Sequence, residues 1–195
     1  MKIDSHRIPI QKVMEKNEIV TKIKSLLSNN QTFIAGIDGL GGSGKSTLAQ
    51  HIQANIPNTT IIQMDDFYSL SLGRANRSRI EKEVLIPLSK NLTCSYQIYD
   101  WRNNKLVAGP TIQMGGLVII EGVFAIHPQL APYYDYKIWI DCPPEVGFKR
   151  GVERDKITDG IDNTEKWQTL WMPDEKKYFE TEKPNLYADC ILNNY

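Results

Sequence analysis

The sequence has few cysteines, no excess of charge of either sign and no long apolar run. Its three cysteines, Cys94, Cys142 and Cys190, are an odd number without C-x-x-C spacing, which argues against a disulfide framework and a zinc site. We expect ordinary buried thiols. Lysine plus arginine and aspartate plus glutamate both number 23, so the net charge of +0 gives no support for binding nucleic acid through bulk charge.

Targeting and membrane signals are also lacking. The apolar runs are too short to cross a bilayer, and the opening MKIDSHRIPIQK lacks the apolar core of a signal peptide. We therefore expect a cytoplasmic protein with no membrane partner. The 195 residues suffice for one domain with a sizeable core.

A glycine-rich stretch, FIAGIDGLGGSGKSTLAQ (33–50), dominates what is present. Gly39, Gly44, Lys45 and Ser46 satisfy the pattern G-x-x-x-x-G-K-[ST], in which glycines let backbone N–H groups surround an oligophosphate. Lys45 is expected to reach the β and γ oxygens, and the Ser46 hydroxyl to bind Mg²⁺. The predicted nucleotide-binding residues are Gly39, Gly41, Gly42, Ser43, Gly44, Lys45, Ser46 and Thr47.

Short apolar runs alternate with amphipathic ones, which predicts an α/β fold with a parallel sheet covered on both faces. Strands are predicted at 32–37, 59–64, 117–121, 136–141 and 188–192, and helices at 10–27 and 46–56. We expect a single domain over 1–195, with residues 1–31 as a helical extension packed on the core. Ligands of such sheets gather at the carboxyl ends of the strands.

Two aspartates, Asp65 and Asp66, follow the second predicted strand. A carboxylate there can accept the hydrogen bond of an incoming hydroxyl, aim its oxygen at the γ-phosphorus and share in binding Mg²⁺. Asp65 is favoured, because adjacent carboxylates usually point in different directions. The alternative, that one or both cap the next turn, stays open at this point.

Glu121 ends the third predicted strand, where P-loop proteins usually place a second contact to Mg²⁺. Asp141, at the end of the fourth, is a rival for this role. Strand order favours Glu121, because we expect the strand beside the P-loop strand to carry the metal contact and Asp141 to lie on a later one.

Arginines follow the fourth predicted strand. Arg150 and Arg154 are four residues apart on a predicted helix, so both could close over the polyphosphate and neutralise charge that develops during transfer. The alternative is a solvated helix face. Further along, Trp167, Leu170 and Trp171 have the spacing of a packed helix face, in the core or at an interface.

The order of these motifs resembles the uridine kinase-like family of P-loop kinases, in the phosphoribulokinase and uridine kinase superfamily. The matching segments cover most of the chain: GIDGLGGSGKST, MDDFY, YQIYDW, VIIEGVFA, RGVERD and YFETEKPNLYADCIL. The resemblance implies a P-loop NTPase sandwich with a five-stranded parallel sheet and an arginine-bearing lid. It also implies ATP with Mg²⁺ and transfer of the γ-phosphoryl group to a hydroxyl of a small molecule, by default uridine or cytidine.

By position, the resemblance assigns roles to several residues. Asp65 matches the catalytic aspartate, Glu121 the acidic metal contact, and Arg150 and Arg154 the lid arginines, with Lys45 at the phosphates. The implied metal ligands are Ser46, Asp65 and Glu121. The implied acceptor pocket contains Tyr68, Tyr99, Asp100, Trp101 and Arg102.

The sequence also departs from this family. No aspartate lies between Asp66 and Asp100, where uridine kinases have a ribose-binding aspartate-rich segment, and no histidine follows YDW. Arg74, Arg77, Arg79 and Arg102 offer positive charge instead, which is consistent with an anionic acceptor such as a phosphosugar, pantothenate or glycerate.

Two further function classes compete with a kinase. A nucleotide-binding regulator without turnover fits the missing acceptor residues, but the presence of Lys45, Ser46, Asp65 and Glu121 argues against it. A GTPase-like switch would need an [NT]-K-x-D element, and the nearest sequence, TKIK at Thr21, precedes the P-loop and lacks the aspartate. The apolar N-terminal helix and the tryptophan-rich helix are both compatible with a homodimer.

Overall fold

The computed structural model describes residues 11–69, 77–158 and 160–195. Its centre is a parallel sheet of six strands in the order β1-β8-β7-β2-β6-β3, beside a separate antiparallel hairpin, β4-β5. The strands are β1 Lys12–Val13, β2 Thr32–Asp38, β3 Thr59–Gln63, β4 Cys94–Asp100, β5 Lys105–Ile112, β6 Gly116–Glu121, β7 Tyr136–Asp141 and β8 Cys190–Asn193.

The helices lie between and after these strands. They are α1 Lys16–Leu26, α2 Lys45–Asn55, α3 Ser78–Ile80, α4 Ile86–Ser89, α5 Pro144–Thr158, α6 Thr164–Lys166 and α7 Met172–Glu182. A π-helical turn, Glu81–Leu85, joins α3 to α4, and a second, Trp167–Trp171, joins α6 to α7. Short 3₁₀ segments occur at Met64–Asp66, Ala131–Tyr133 and Pro184–Leu186.

The central strands are continuous apolar runs because both faces of the sheet are covered. Alternate residues of β2 enter different cores: Ile34 packs with Ile62 and Val118, whereas Ala35 packs with Leu48 of α2 and Ile19 of α1. This three-layer arrangement confirms the predicted α/β class with a parallel sheet and helices on both faces.

The sheet has six strands instead of the expected five. The additional strand is β1, where Lys12 and Val13 pair in parallel with Cys190 and Ile191 of β8. For the same reason residues 11–15 of the predicted helix 10–27 are not helical, and α1 begins at Lys16, after the chain has left the sheet. The part of the predicted extension over residues 1–10 lies outside the described residues.

The β4-β5 hairpin is absent from the elements predicted above. In β4, buried Cys94 and Tyr96 alternate with exposed Ser95 and Gln97, a period of two that could have revealed it. The partner strand is largely exposed and contains a Gly-Pro pair at 109–110, which usually marks a turn.

Of the residues predicted to pack in the core or at an interface, Trp167 lies in the core, and the interface alternative for the others stays a prediction. Trp167 is 3% exposed, but Leu170 is 59% exposed. The spacing argument assumed α-helical geometry, whereas residues 167–171 form a π-helical turn, which rotates Leu170 away from the face of Trp167.

The cysteines are free and buried, as expected. Within the described ranges, no helix combines the length and apolar character needed to span a membrane.

Candidate active site

The glycine-rich loop connects the end of β2 to the start of α2, as the motif requires. Gly42 and Gly44 have φ values of +71° and +96°, in the left-handed region. A Cβ atom on Gly42 would lie 2.0 Å from the carbonyl oxygen of Gly147 in α5. The loop therefore needs glycine both for its conformation and for its close contact with α5.

Lys45 lies inside this loop. Its buried ammonium group donates hydrogen bonds to the carbonyl oxygens of Gly39 at 2.9 Å and Leu40 at 2.8 Å. Burial lowers the pKa of Lys45, while nearby carboxylates, with Glu175 the strongest, oppose that shift. A second positive feature is the first turn of α2, because the N–H groups of Lys45, Ser46 and Thr47 come before Leu48, the first residue that donates to a carbonyl of the helix, that of Gly44.

Ser43 also lies inside the loop. Its side chain is buried, and its N–H donates to the Leu40 carbonyl at 3.1 Å. Its own carbonyl accepts from Asn194 Nδ2 at 2.7 Å. Ser43 thus shapes the loop through its backbone.

Ser46 and Glu121 are in direct contact. The Ser46 hydroxyl donates to Glu121 Oε1 at 2.8 Å, and Glu121 is 4% exposed at the carboxyl end of β6. Burial raises the pKa of Glu121, the Ser46 hydrogen bond and the charge of Lys45 lower it, and the charge of Asp65 raises it. These groups therefore form one electrostatically coupled cluster.

Strand register places Asp65 beside this cluster. Glu121 pairs with Ile37 of β2 on one side and with Gln63 of β3 on the other. The 3₁₀ segment that follows β3 carries Asp65, two residues after Gln63. Asp65 is exposed to solvent at this edge of the sheet.

Asp66 points elsewhere. Its Oδ2 accepts the hydroxyl of Tyr96, on β4, at 3.1 Å, and the next residue, Phe67, stacks on the Tyr96 ring at 4.9 Å. Burial raises the pKa of Asp66. The two adjacent carboxylates therefore have different surroundings, one open and one tied to the hairpin.

The rival metal contact, Asp141, is not on a more distant strand. The argument from strand order was wrong on this point, because β2 lies between β6 and β7 and pairs with both. What distinguishes the two acids is contact: Glu121 accepts from Ser46, whereas Asp141 is exposed and its carbonyl accepts from the Asn194 N–H at 2.9 Å.

The two arginines of α5 make different contacts. Arg150 donates to the carbonyl oxygens of Asn194 and Tyr195, each at 3.2 Å. Arg154 donates to Asp155 at 2.8 Å. The charge of Arg154 also lowers the pKa of Glu121, but this effect is smaller than the opposing effect of burial. Arg154 thus acts electrostatically on the Ser46 and Glu121 cluster, whereas the Arg150 side chain contacts residues 142, 194 and 195.

The residues expected to bind the acceptor lie in two settings. Tyr68 is 1% exposed, and its hydroxyl donates to the Val123 carbonyl at 2.5 Å. The other four residues, Tyr99, Asp100, Trp101 and Arg102, occupy the end of β4 and the hairpin turn.

At the hairpin turn, Asp100 accepts hydrogen bonds from the backbone N–H groups of Arg102, at 3.0 Å, and Asn103, at 3.1 Å. Its pKa is lowered, first by the Asn103 side chain. The rings of Tyr99 and Trp101 meet edge to face at 4.8 Å, and the Tyr99 hydroxyl donates to Asn104. Asp100 therefore caps the turn, while Trp101 is 47% exposed.

Sequence reasoning missed several residues around the loop. Asp38 is fully buried and accepts from the N–H groups of Gly39 and Ile126 and from the Tyr178 hydroxyl. Burial raises its pKa to about 6. A charged residue at the end of an apolar strand, directly before the glycines, was the available signal.

Glu175 was also missed. It accepts from the Gly41 N–H at 2.7 Å, but nothing in the sequence around it indicated this contact.

The residues present fit a polyphosphate with Mg²⁺. The loop has glycine where a Cβ would intrude, a lysine within it, and a helix N-terminus behind it. Ser46 and Glu121 supply the hydroxyl and carboxylate oxygens that Mg²⁺ prefers. These features define a P-loop nucleotide-binding protein of α/β architecture.

Comparison with known sequences narrows this class. Residues 36–170 match the family profile described as "AAA domain". A uridine kinase of Borrelia turicatae is 30% identical over 177 residues, which cover 82% of this chain and 85% of the relative. The chain belongs to the uridine kinase-like family of P-loop kinases.

Other relatives carry the same name. A uridine kinase of Alkaliphilus metalliredigens is 28% identical, with 84% of this chain and 88% of the relative covered. A uridine kinase of Saccharomyces cerevisiae is 29% identical over 82% of this chain, which spans only 36% of that longer protein.

Solved structures show the same fold. A possible uridine kinase from Bacillus stearothermophilus aligns with a TM-score of 0.59 at 22% identity, covering 91% of this chain and 96% of the other. A proposed fructose transport system kinase from Silicibacter sp. TM1040 aligns with a TM-score of 0.67 at 19% identity, covering 92% and 98%.

Proposed function

We propose that this protein is an ATP- and Mg²⁺-dependent kinase that transfers the γ-phosphoryl group to a hydroxyl of a small molecule, with a uridine- or cytidine-like nucleoside as acceptor. The observation that carries the proposal is the hydrogen bond from Ser46 to Glu121 beside the exposed carboxylate of Asp65. This constellation supplies a metal-binding pair and an adjacent base at one edge of the sheet.

The chain's own residues suggest how transfer proceeds. The loop N–H groups and Lys45 hold the phosphates. Asp65 accepts the proton of the acceptor hydroxyl while the oxygen of that hydroxyl bonds to the γ-phosphorus. The bond to the β–γ bridging oxygen breaks, and ADP leaves with that electron pair. Ser46 and Glu121 would hold Mg²⁺, which would neutralise charge on the phosphate oxygens. In this proposal Arg154, which is coupled to Glu121, adds positive charge near the transferred group, and Arg150 joins it only after leaving Asn194 and Tyr195.

The position of Arg79 removes one argument for an anionic acceptor. Its guanidinium group donates to both oxygens of Glu83, at 2.9 and 3.0 Å, and also to the Gln97 carbonyl. A carboxylate already balances this charge, so Arg79 is poorly placed to attract an anionic substrate. Arg77 also has a partner, since it contacts His127 at 2.9 Å, and Arg74 lies outside the described residues.

The test is ADP release with Mg²⁺-ATP against a panel of acceptors: uridine, cytidine, nicotinamide riboside, pantothenate, glycerate and pentose phosphates. We expect uridine or cytidine to stimulate release, and Asp65→Asn to abolish it while ATP still binds. Asp66→Asn is the matched control, because the amide oxygen of the introduced side chain could still accept from Tyr96, and this variant should retain most of the activity.

Either of two outcomes overturns the proposal. If another panel member alone stimulates release, the nucleoside assignment fails and the kinase assignment stands. If ATP binds and nothing on the panel stimulates release, the nucleoside assignment fails, and either an acceptor outside the panel or a regulator without turnover replaces it.

A further inference from the structure

Helix α7 places a buried carboxylate directly on the phosphate-binding loop. The Gly41 N–H donates to Glu175 Oε2 at 2.7 Å, and Glu175 is 4% exposed. Backbone N–H groups of such a loop are the groups that surround bound phosphate. Part of the anion-binding surface is therefore in contact with an anion that belongs to the protein itself.

The electrostatics agree with this position. Burial lowers the pKa of Lys45, and among the charges that oppose this shift Glu175 comes first, ahead of Asp38, Glu121 and Asp65. Lys45 meanwhile donates to the loop carbonyls of Gly39 and Leu40. The lysine that should hold phosphate oxygens thus interacts with the loop and with an internal carboxylate.

The same helical segment also contacts Gly41 through Trp167. A Cβ atom on Gly41 would lie 2.6 Å from the Trp167 ring and 3.1 Å from Glu175 Oε2. The indole N–H of Trp167 donates to buried Asp155 of α5 at 2.9 Å. The carboxylate therefore reaches the loop from a segment that packs against Gly41 and is joined to α5 by a buried hydrogen bond.

We propose that Glu175 occupies the Gly41 end of the phosphate-binding loop in the nucleotide-free protein, and that the phosphates of ATP displace it, so that loading of the loop shifts α7. Two anions cannot share one N–H group at this distance without strong repulsion. Displacement of Glu175 frees the Gly41 N–H. It also removes the attraction between Glu175 and Lys45, so that Lys45 can interact with the incoming phosphates instead. The inference rests on the proposed function only in requiring that the loop binds a nucleoside triphosphate.

The test is nucleotide affinity, which needs no acceptor and no turnover. Glu175→Gln keeps an oxygen that can accept from Gly41 but removes the charge that competes with phosphate. We expect this variant to bind Mg²⁺-ATP at least fivefold more tightly than the unmodified protein by isothermal titration calorimetry, with a smaller gain for ADP. Glu180→Gln, an exposed carboxylate on the same helix, should bind both nucleotides as the unmodified protein does.

A second measurement follows the helix directly. Mg²⁺-ATP should change the tryptophan emission of the unmodified protein, and Trp167→Phe should lose most of that change. This measurement also decides the matter if Glu175→Gln does not fold, since unchanged emission at saturating ATP contradicts the displacement.

The failures of the two proposals are distinguishable. If folded Glu175→Gln binds ATP as tightly as the unmodified protein or more weakly, Glu175 does not compete with the phosphates of ATP. The kinase assignment then stays intact. Lack of ATP binding by the unmodified protein overturns both. Normal ATP binding without turnover on any acceptor affects only the proposed function.

Discussion

The hydroxyl of Ser46 lies 2.8 Å from Glu121 Oε1, which joins the first turn of α2 to the carboxyl end of β6. A hydroxyl and a carboxylate held this close offer a metal ion two oxygen ligands, or one ligand and one water-mediated contact. Asp141 ends β7, on the other side of the P-loop strand β2. Substitutions of Glu121 and Asp141 can therefore be compared directly as tests of which carboxylate supports the metal.

We predict that Glu121→Gln raises the Mg²⁺ concentration needed for half-maximal ADP release and lowers kcat by roughly 10–100-fold, the range typical of lost metal-supporting contacts. The amide can still accept from Ser46, so the change tests charge more than packing. Mg²⁺ titrations at fixed ATP measure both effects. Asp141→Asn is the control, and a larger loss there would transfer the metal role to Asp141.

A second prediction concerns the loop glycines. Gly42→Ala forces a Cβ to 2.0 Å from the Gly147 carbonyl oxygen and strains a backbone at φ +71°. Gly115 has a similar φ of +87°, and no atom lies within 4 Å of the position that a Cβ would take there. Gly115→Ala should therefore cost only the conformational term, about 1–2 kcal/mol, whereas Gly42→Ala adds an overpacking cost of about 1–3 kcal/mol.

Urea unfolding measures these losses of stability, and ATP binding measures their effect on the loop. We expect Gly42→Ala to lose ATP affinity and Gly115→Ala to keep it. Equal losses of stability in the two variants would show that α5 moves away from the loop at little cost.

The sequence was sufficient to predict the strand–loop–helix unit and the acids at the strand ends. Glycine spacing marks the loop, and the apolar runs before Asp65 and Glu121 end where the parallel strands end. These features are local, since motif and element lie within a few residues of each other. The roles assigned to individual site residues stay predictions.

Contacts between distant parts of the chain were beyond prediction from one sequence. The Gly41 and Glu175 hydrogen bond spans 134 residues, and Trp167 reaches the same glycine through a π-helical turn that periodicity does not reveal. The order of the strands in the sheet could not be predicted either, because the position of β2 between β6 and β7 depends on strand pairing and not on the order of the strands along the chain.

A third prediction separates the neighbouring aspartates by stability. Asp66→Ala leaves the hydroxyl of Tyr96, a residue 6% exposed, without its acceptor, and should cost about 1–3 kcal/mol in the free energy of unfolding. Asp65→Ala, at an exposed position, should change stability by less than about 0.5 kcal/mol. Urea unfolding of both variants checks this difference.

The cause can be isolated with Tyr96→Phe. In that background the cost of Asp66→Ala should shrink, because no hydroxyl remains to be satisfied. An unchanged cost would assign the effect to another contact of Asp66.

The last prediction uses the buried carboxyl of Asp38. Burial raises its pKa from the ordinary 3.8 to about 6 in the folded protein. The folded state therefore holds a proton that the unfolded state has released between these two values. Its contribution to stability is complete below pH 4 and is lost as the pH rises through 6.

The measurement is the difference in unfolding free energy between the unmodified protein and Asp38→Asn, from pH 4 to pH 7. We expect that difference to fall by about 3 kcal/mol, the equivalent of the pKa shift. Burial, with the charge of Arg77, lowers the pKa of His127 to about 4, so His127 acts in the opposite direction and offsets part of the Asp38 trend in the unmodified protein. It contributes equally to both proteins and cancels in the difference. Parallel stability curves would show that Asp38 ionises as easily in the folded protein as in the unfolded chain.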